Sequence, residues 1–179
     1  MGLSAEQLKH CLDAVAAIEP AMARAIERAG YPPPRIRERG YGTLLRTIVG
    51  QQVSVAAAQS IWRKLEAGLG NLDDPATLAA VSIEDMRPFG LSRQKASYAH
   101  SLAEAVASGA LDLDNLSADD EEAIAALSSV KGIGRWSAEI YLLFAEGRAD
   151  IWPAGDLAVQ IEIGRILGLE ARPTEKATR

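Results

Sequence analysis

Two glycines and an aspartate carry the chemistry this sequence can offer. Gly132 and Gly134 stand in the run VKGIGRW, flanked by Lys131 and Arg135, between a helical pattern ending near Leu127 and another beginning near Arg135. Glycine takes positive φ and lets another backbone come close, and the first turn of the following helix leaves N–H groups with no partner inside it. Such an end attracts anions. With two cations beside it, the expected anion is a nucleic-acid phosphate, held without reading the base sequence. An ordinary αα-turn with solvated charges is the alternative, and the Gly-x-Gly pattern alone favours that alternative. Downstream, a hydrophobic helix from Ser137 to Ala145 leads to Asp156, directly before an apolar helical pattern, Leu157 to Leu169. An aspartate there caps the helix, and capping also fixes the direction of its carboxylate.

The rest of the chain must position these groups. Its 179 residues suit one or at most two small domains with a real core, and 48% apolar with 24% charged residues is a globular composition. No apolar run approaches the length of a bilayer span, and the N-terminus lacks a basic region followed by an apolar one, so no membrane association and a cytoplasmic location are expected, nucleoid-associated in a bacterium. Cys11 is the single cysteine, which excludes an internal disulfide and a cysteine-ligated iron–sulfur cluster, and its register in the first helix marks it as a core residue. His10 and His100 stand on separate helices as surface residues, with no metal cluster around them. The net charge of −5 argues mildly against nucleic acid. Distribution matters more: acids crowd at Asp112, Asp114 and Asp119 to Glu122, whereas Arg63, Lys64, Arg93, Lys95, Lys131 and Arg135 lie in or near loops and helix starts. One basic face on an acidic body reconciles the two.

In chain order, Ser4 with Gln7 forms a capping box for a helix to about Glu19, with Leu8, Cys11, Leu12, Val15 and Ile18 at helical spacing. Pro20 opens a second helix ending at Gly30, and Tyr31 to Pro34 is an extended spacer. Leu44, Leu45, Ile48 and Val49 form a buried stripe, Gly50 ends that helix, and Gln51 and Gln52 occupy the break. Ser54 caps the next helix, with Val55, Ala58, Ile61, Trp62 and Leu65 inward. Short helices follow at Pro75 to Val81 and Ser82 to Met86. Ser92 caps a helix carrying Ala96, Ala99, Leu102, Ala103 and Val106, and Ser117 caps the helix that enters the hairpin, its first-turn acids suiting the helix dipole. No strand-type alternation and no fixed repeat occur, so the fold class is all-α.

Three segments carry a family resemblance. VKGIGRWSAEI with IWPAGDL resembles the helix-hairpin-helix and Gly/Pro-rich-loop-Asp signature of the DNA glycosylase superfamily; LLRTIVGQQVSVAAAQSIW and FGLSRQKASYAHSLA resemble two further segments of it. Trp136 and the Pro153 to Leu157 pattern are most similar to the alkylpurine branch, the 3-methyladenine DNA glycosylase II type. The resemblance covers roughly Ile36 to Leu169. It implies one helical domain over residues 1–179, a core of roughly eight to ten helices in two lobes, about 1–35 with 140–179 and 36–139. Against that family pattern, the chain is expected to lack the N-terminal β domain of some relatives and the last C-terminal helix.

What the resemblance implies for function is specific. Asp156 stabilises charge on the sugar and activates water; Trp136, with Tyr141 and Trp152, stacks on the flipped base. Lys131, Gly132, Ile133, Gly134 and Arg135 hold DNA phosphates, and Gln51, Gln52 and Val53 form the wedge that fills the gap. Strand-nicking relatives carry a lysine where this chain has Trp136, so a monofunctional enzyme is expected, acting on double-stranded DNA with alkylated bases as a monomer. Ile140, where some relatives have an aromatic, suggests a less enclosed pocket. No cofactor is required, although the carbonyls of Ser128, Val130 and Ile133 would hold a structural Na+ or K+. The other reading is a non-catalytic helix-hairpin-helix module that binds duplex or damaged DNA.

Overall fold

A computed structural model describes residues 2–179. The helices are α1 (Ala5–Ile18), α2 (Pro20–Ala29), α3 (Tyr41–Gly50), α4 (Val55–Leu69), α5 (Pro75–Ala79), α6 (Ile83–Met86), α7 (Arg93–Ala107), α8 (Asp120–Ser128), α9 (Arg135–Tyr141), α10 (Leu157–Leu167) and α11 (Glu175–Thr178). There is no strand among the described residues, so the chain is all-α. It divides into two compact units: Met1–Arg37 with Leu142–Arg179, and Glu38–Tyr141.

The unit Glu38–Tyr141 is built around α3 and α7. Leu44, Leu45, Ile48 and Val49 are buried on α3, which packs against α4 and α7; Leu65 of α4 is buried too, as are Leu78 and Met86 of the short helices, which pack against α7. Ala96, Ala99 and Ala103 are fully buried on one face of α7, and their small size lets that helix sit close to α3 and α5. Close approach of backbones makes this face intolerant of larger side chains, because a packed interior has no spare volume. Leu127 of α8 and Ala138 of α9 complete the core beside the hairpin.

The unit Met1–Arg37 with Leu142–Arg179 holds α1, α2, α10 and α11. Its interior is smaller: Ala21, Leu142, Ala145, Ile151 and Ala154 are buried, with Gln160 and Gly164 of α10. Ser4 and Gln7 do form the capping box of α1, but that helix has no fully buried residue. Cys11 is half-buried and Ile18 is exposed, so the apolar stripe of α1 is only partly covered, contrary to the core position expected for Cys11.

Four local expectations are also corrected. The helix expected over Ser137 to Ala145 is α-helical only to Tyr141 and continues as a π-helical turn, Leu142–Glu146, in which each N–H reaches one residue further back. Asp119 rather than Ser117 caps α8: its carboxylate accepts from the Glu122 N–H at 2.9 Å, while the Ser117 hydroxyl accepts from the Asp119 N–H. Val55, expected inward, is 76% exposed, because as the first residue of α4 it sits at the helix end, two turns before the buried Trp62. His100 is partly buried and its Nδ1 lies 3.2 Å from Glu104, so it is not a solitary surface histidine.

Candidate functional site

The hairpin between α8 and α9 has the expected shape. Gly132 sits at φ 94°, and the turn is closed by the Ile133 N–H donating to the Val130 carbonyl at 3.1 Å. Val130 and Ile133 are buried and anchor it, whereas Lys131 and Gly134 are exposed. The two glycines serve different purposes. A Cβ at Gly132 would lie 2.6 Å from the Tyr98 Cβ of α7 and closer still to its ring, so packing demands glycine there. A Cβ at Gly134 would meet nothing within 4 Å, so glycine there leaves the backbone open to approach from outside.

Arg135 does not extend toward a ligand. Its guanidinium pairs with both oxygens of Glu121 on α8, and its Nε donates to Glu139 Oε1 at 2.9 Å. Glu139 is only 2% exposed, and a carboxylate in that position needs a cation nearby, because removing an ion from water costs several kcal/mol. Arg135 therefore stitches α8 to α9 and neutralises a buried acid, which removes it from the phosphate-holding set. Both acids hold the guanidinium firmly charged, its pKa raised first by the Glu121 hydrogen bond.

The break between α3 and α4 also divides its residues. Gln51 turns inward, and its Nε2 donates to the Gly132 carbonyl at 3.0 Å, tying this turn to the hairpin. Gln52 is exposed at φ 55°, the one non-glycine at positive φ among the described residues. A non-glycine residue there is strained by about 1–3 kcal/mol, and such strain persists only where the surroundings enforce it. Val53 is exposed next to it. Lys95, one of the cations grouped near helix starts, reaches back so that its Nζ donates to the Val49 carbonyl at 2.9 Å, and burial pushes its pKa below the usual lysine range. Arg93 pairs instead with Glu84 at 3.3 Å.

Of the aromatic candidates, Trp136 presents a ring that is 45% exposed. Tyr141 is 2% exposed, and its hydroxyl accepts from the Gly40 N–H at 2.8 Å, so no ring face is open to a base and it leaves the pocket set. Ile140 is buried beside it. In the other unit, Trp152 is 42% exposed, its Nε1 donating to the Thr178 carbonyl at 2.9 Å.

Asp156 is the N-cap of α10. Its Oδ1 accepts from the Ala158 and Val159 N–H groups at 2.8 and 3.1 Å, which fixes the carboxylate on the helix axis. The loop before it is held from below: the Asp156 N–H donates to the Pro153 carbonyl at 2.9 Å, and buried Gln160 donates from Nε2 to the Ala154 carbonyl at 2.8 Å. Gln160 lies one turn into α10, where a polar residue on the face shared with Gly164 is the available signal. The pairing roles of Glu121 and Glu139 and the contact of Tyr98 with the hairpin have no local signal in the sequence.

The glycine hairpin and the helix-capping aspartate both occur in a chain whose residues 45–179 match the profile of the HhH-GPD superfamily base excision DNA repair protein; the chain belongs to that superfamily. Among curated relatives it is 34% identical over 138 residues to DNA-3-methyladenine glycosylase 1 of Schizosaccharomyces pombe, covering 73% of this chain and 60% of that one. This chain thus spans less than two thirds of that relative's length. Among solved structures it is similar to a DNA-3-methyladenine glycosidase from Bacillus halodurans, with a TM-score of 0.85 and 31% identity over 93% of this chain and 78% of that one. It is also similar to a Schizosaccharomyces pombe 3-methyladenine DNA glycosylase in complex with abasic DNA, with a TM-score of 0.76 and 28% identity over 93% and 84% of the two chains.

Proposed function

We propose that this chain is a monofunctional DNA glycosylase that releases alkylated purines, of the 3-methyladenine and 7-methylguanine type, from double-stranded DNA and leaves an abasic site. The observation that carries this reading is Asp156, a carboxylate aimed by two backbone amides in a member of a base excision repair superfamily. Reaching the glycosidic bond requires taking the nucleotide out of the stack. Lys131 and the open backbone at Gly134 take the phosphates, and Gln52, with Val53 beside it, fills the gap. Trp136 receives the base, where an electron-rich ring attracts a cationic purine by about 0.5–2 kcal/mol.

As the N-glycosidic bond breaks, its electron pair leaves with the base and positive charge grows on the deoxyribose. The Asp156 carboxylate stabilises that charge; a water oxygen then bonds to the sugar carbon and gives its proton to the carboxylate. A cationic base departs neutral, so a modest catalyst suffices. Trp136 offers no amine for a Schiff base, which makes water the nucleophile. The carbonyls of Ser128, Val130 and Ile133 suit a monovalent cation: Val130 accepts from the Ile133 N–H, and a carbonyl keeps a second lone pair. The cation would brace the hairpin, and the protein acts as a monomer without other cofactors.

The test is single-turnover release of 3-methyladenine or 7-methylguanine from methylated duplex DNA by the wild type and Asp156→Asn. Asparagine caps helices as well as aspartate, so the variant should fold. Release that collapses while DNA binding persists supports the reading; equal release by both proteins refutes it.

A further inference from the structure

The wedge turn is held by more than its own backbone. The last carbonyls of α3 have no partner within the helix and carry the negative end of its dipole. Val49, three residues before Gln52, supplies one of them, and its side chain is fully buried. Lys95 meets that carbonyl with its Nζ at 2.9 Å from α7, a helix fixed against α3 by the buried Ala96 and Ala99. One turn further along α7, Tyr98 lies against Gly132 of the hairpin. Residues three apart on a helix share a face, so one face of α7 touches both the wedge turn and the phosphate-holding turn. Gln51 joins the two directly through the Gly132 carbonyl. The strained Gln52 thus stands on a support with three fixed points.

We propose that Lys95 is a positioning residue for DNA engagement: by clipping the Val49 carbonyl it holds Gln52 at a set distance from the hairpin, before DNA arrives. This rests on the reading of the chain as a base-flipping protein. A device prepared in advance loses less freedom on binding and inserts at the right register. Lys95 therefore acts through Gln52 and touches neither phosphate nor base.

The experiment uses a duplex carrying 2-aminopurine beside an abasic-site analogue, whose fluorescence rises when the wedge unstacks it, together with single-turnover base release from methylated duplex. Lys95→Met keeps the aliphatic stem and removes the donor. It should abolish most of the fluorescence rise and slow release about ten- to a hundredfold, with binding to undamaged duplex unchanged. Lys95→Arg should restore most of both. In a Gln52→Ala background Lys95→Met should add no further loss, since both changes remove the same event. If Lys95→Met does not fold, Lys95→Ala carries the same expectation. Losses that add in the double variant, or weakened binding to undamaged duplex, would overturn the proposal. Fluorescence comes before bond cleavage: a wild type that raises fluorescence without releasing base would sink the excision reading and still support the clip.

Discussion

Gly132→Ala is the most demanding test of the hairpin. Two costs are legible in the structure. Placing an L-residue at φ 94° costs about 1–2 kcal/mol, and forcing a methyl group into the Tyr98 side chain costs about 1–3 kcal/mol more. The sum, about 2–5 kcal/mol, should lower the thermal midpoint of a chain of this size by about 4–20 °C. Urea titration of wild type, Gly132→Ala, Tyr98→Ala and the double variant separates the two. Tyr98→Ala removes the ring part of the overlap and leaves the Cβ contact and the backbone strain, so the double variant should be more stable than the two single losses predict, by about 1 kcal/mol. Salt-dependent DNA binding should weaken in Gly132→Ala even where the protein is folded. A Gly132→Ala protein as stable as the wild type, or strict additivity with Tyr98→Ala, would refute the close packing of hairpin and α7.

Other changes have separable signatures. Gln160→Leu leaves the Ala154 carbonyl without its side-chain donor inside the loop that carries Asp156, and should cost about 1–3 kcal/mol by urea titration while lowering the rate of base release more than DNA binding. Glu121→Gln removes an exposed partner of Arg135; it should cost only about 0.2–1 kcal/mol, and the difference from wild type should shrink in high salt. Asp13 is held below the usual carboxylate range first by its hydrogen bond from Lys9 and then by that from Tyr31. A carboxylate depressed on folding contributes stability above its unfolded pKa, about 3.9, and loses it as pH falls through the lower folded value. Tyr31 fluorescence followed from about pH 5 downward should therefore report release of the α1–spacer contact below about pH 4, and Asp13→Asn should remove that transition.

Much of the architecture was legible because helix signals are local. The capping box of Ser4, the caps at Ser54 and Ser92, the stripe of α3 and the glycines of the hairpin each lie within a few residues of what they organise, and the structure keeps them. What failed was direction. Arg135 reads as a solvated cation beside a glycine turn, and only the burial of Glu139 one turn later, with Glu121 across the hairpin, turns it inward. Lys95 reads the same way until α3 is placed against α7. Tyr141 and Trp136 are equally aromatic on paper, and packing alone buries one and exposes the other. For Gln51 and Gln52 the difference is a single backbone angle, which two adjacent identical residues cannot signal. Asp156 was the easier case, since capping a helix and aiming a carboxylate call for the same residue at the same place.

The left-handed Gln52 has a consequence for anyone selecting sturdier versions of this protein. Glycine at that position would relieve the backbone, and a screen scored on melting temperature alone would favour it. The same substitution deletes the side chain that projects from the turn. Mutant libraries enriched for heat resistance should therefore collect the Gln52→Gly change among their survivors and discard DNA engagement with it, so the position will look expendable in one assay and indispensable in the other.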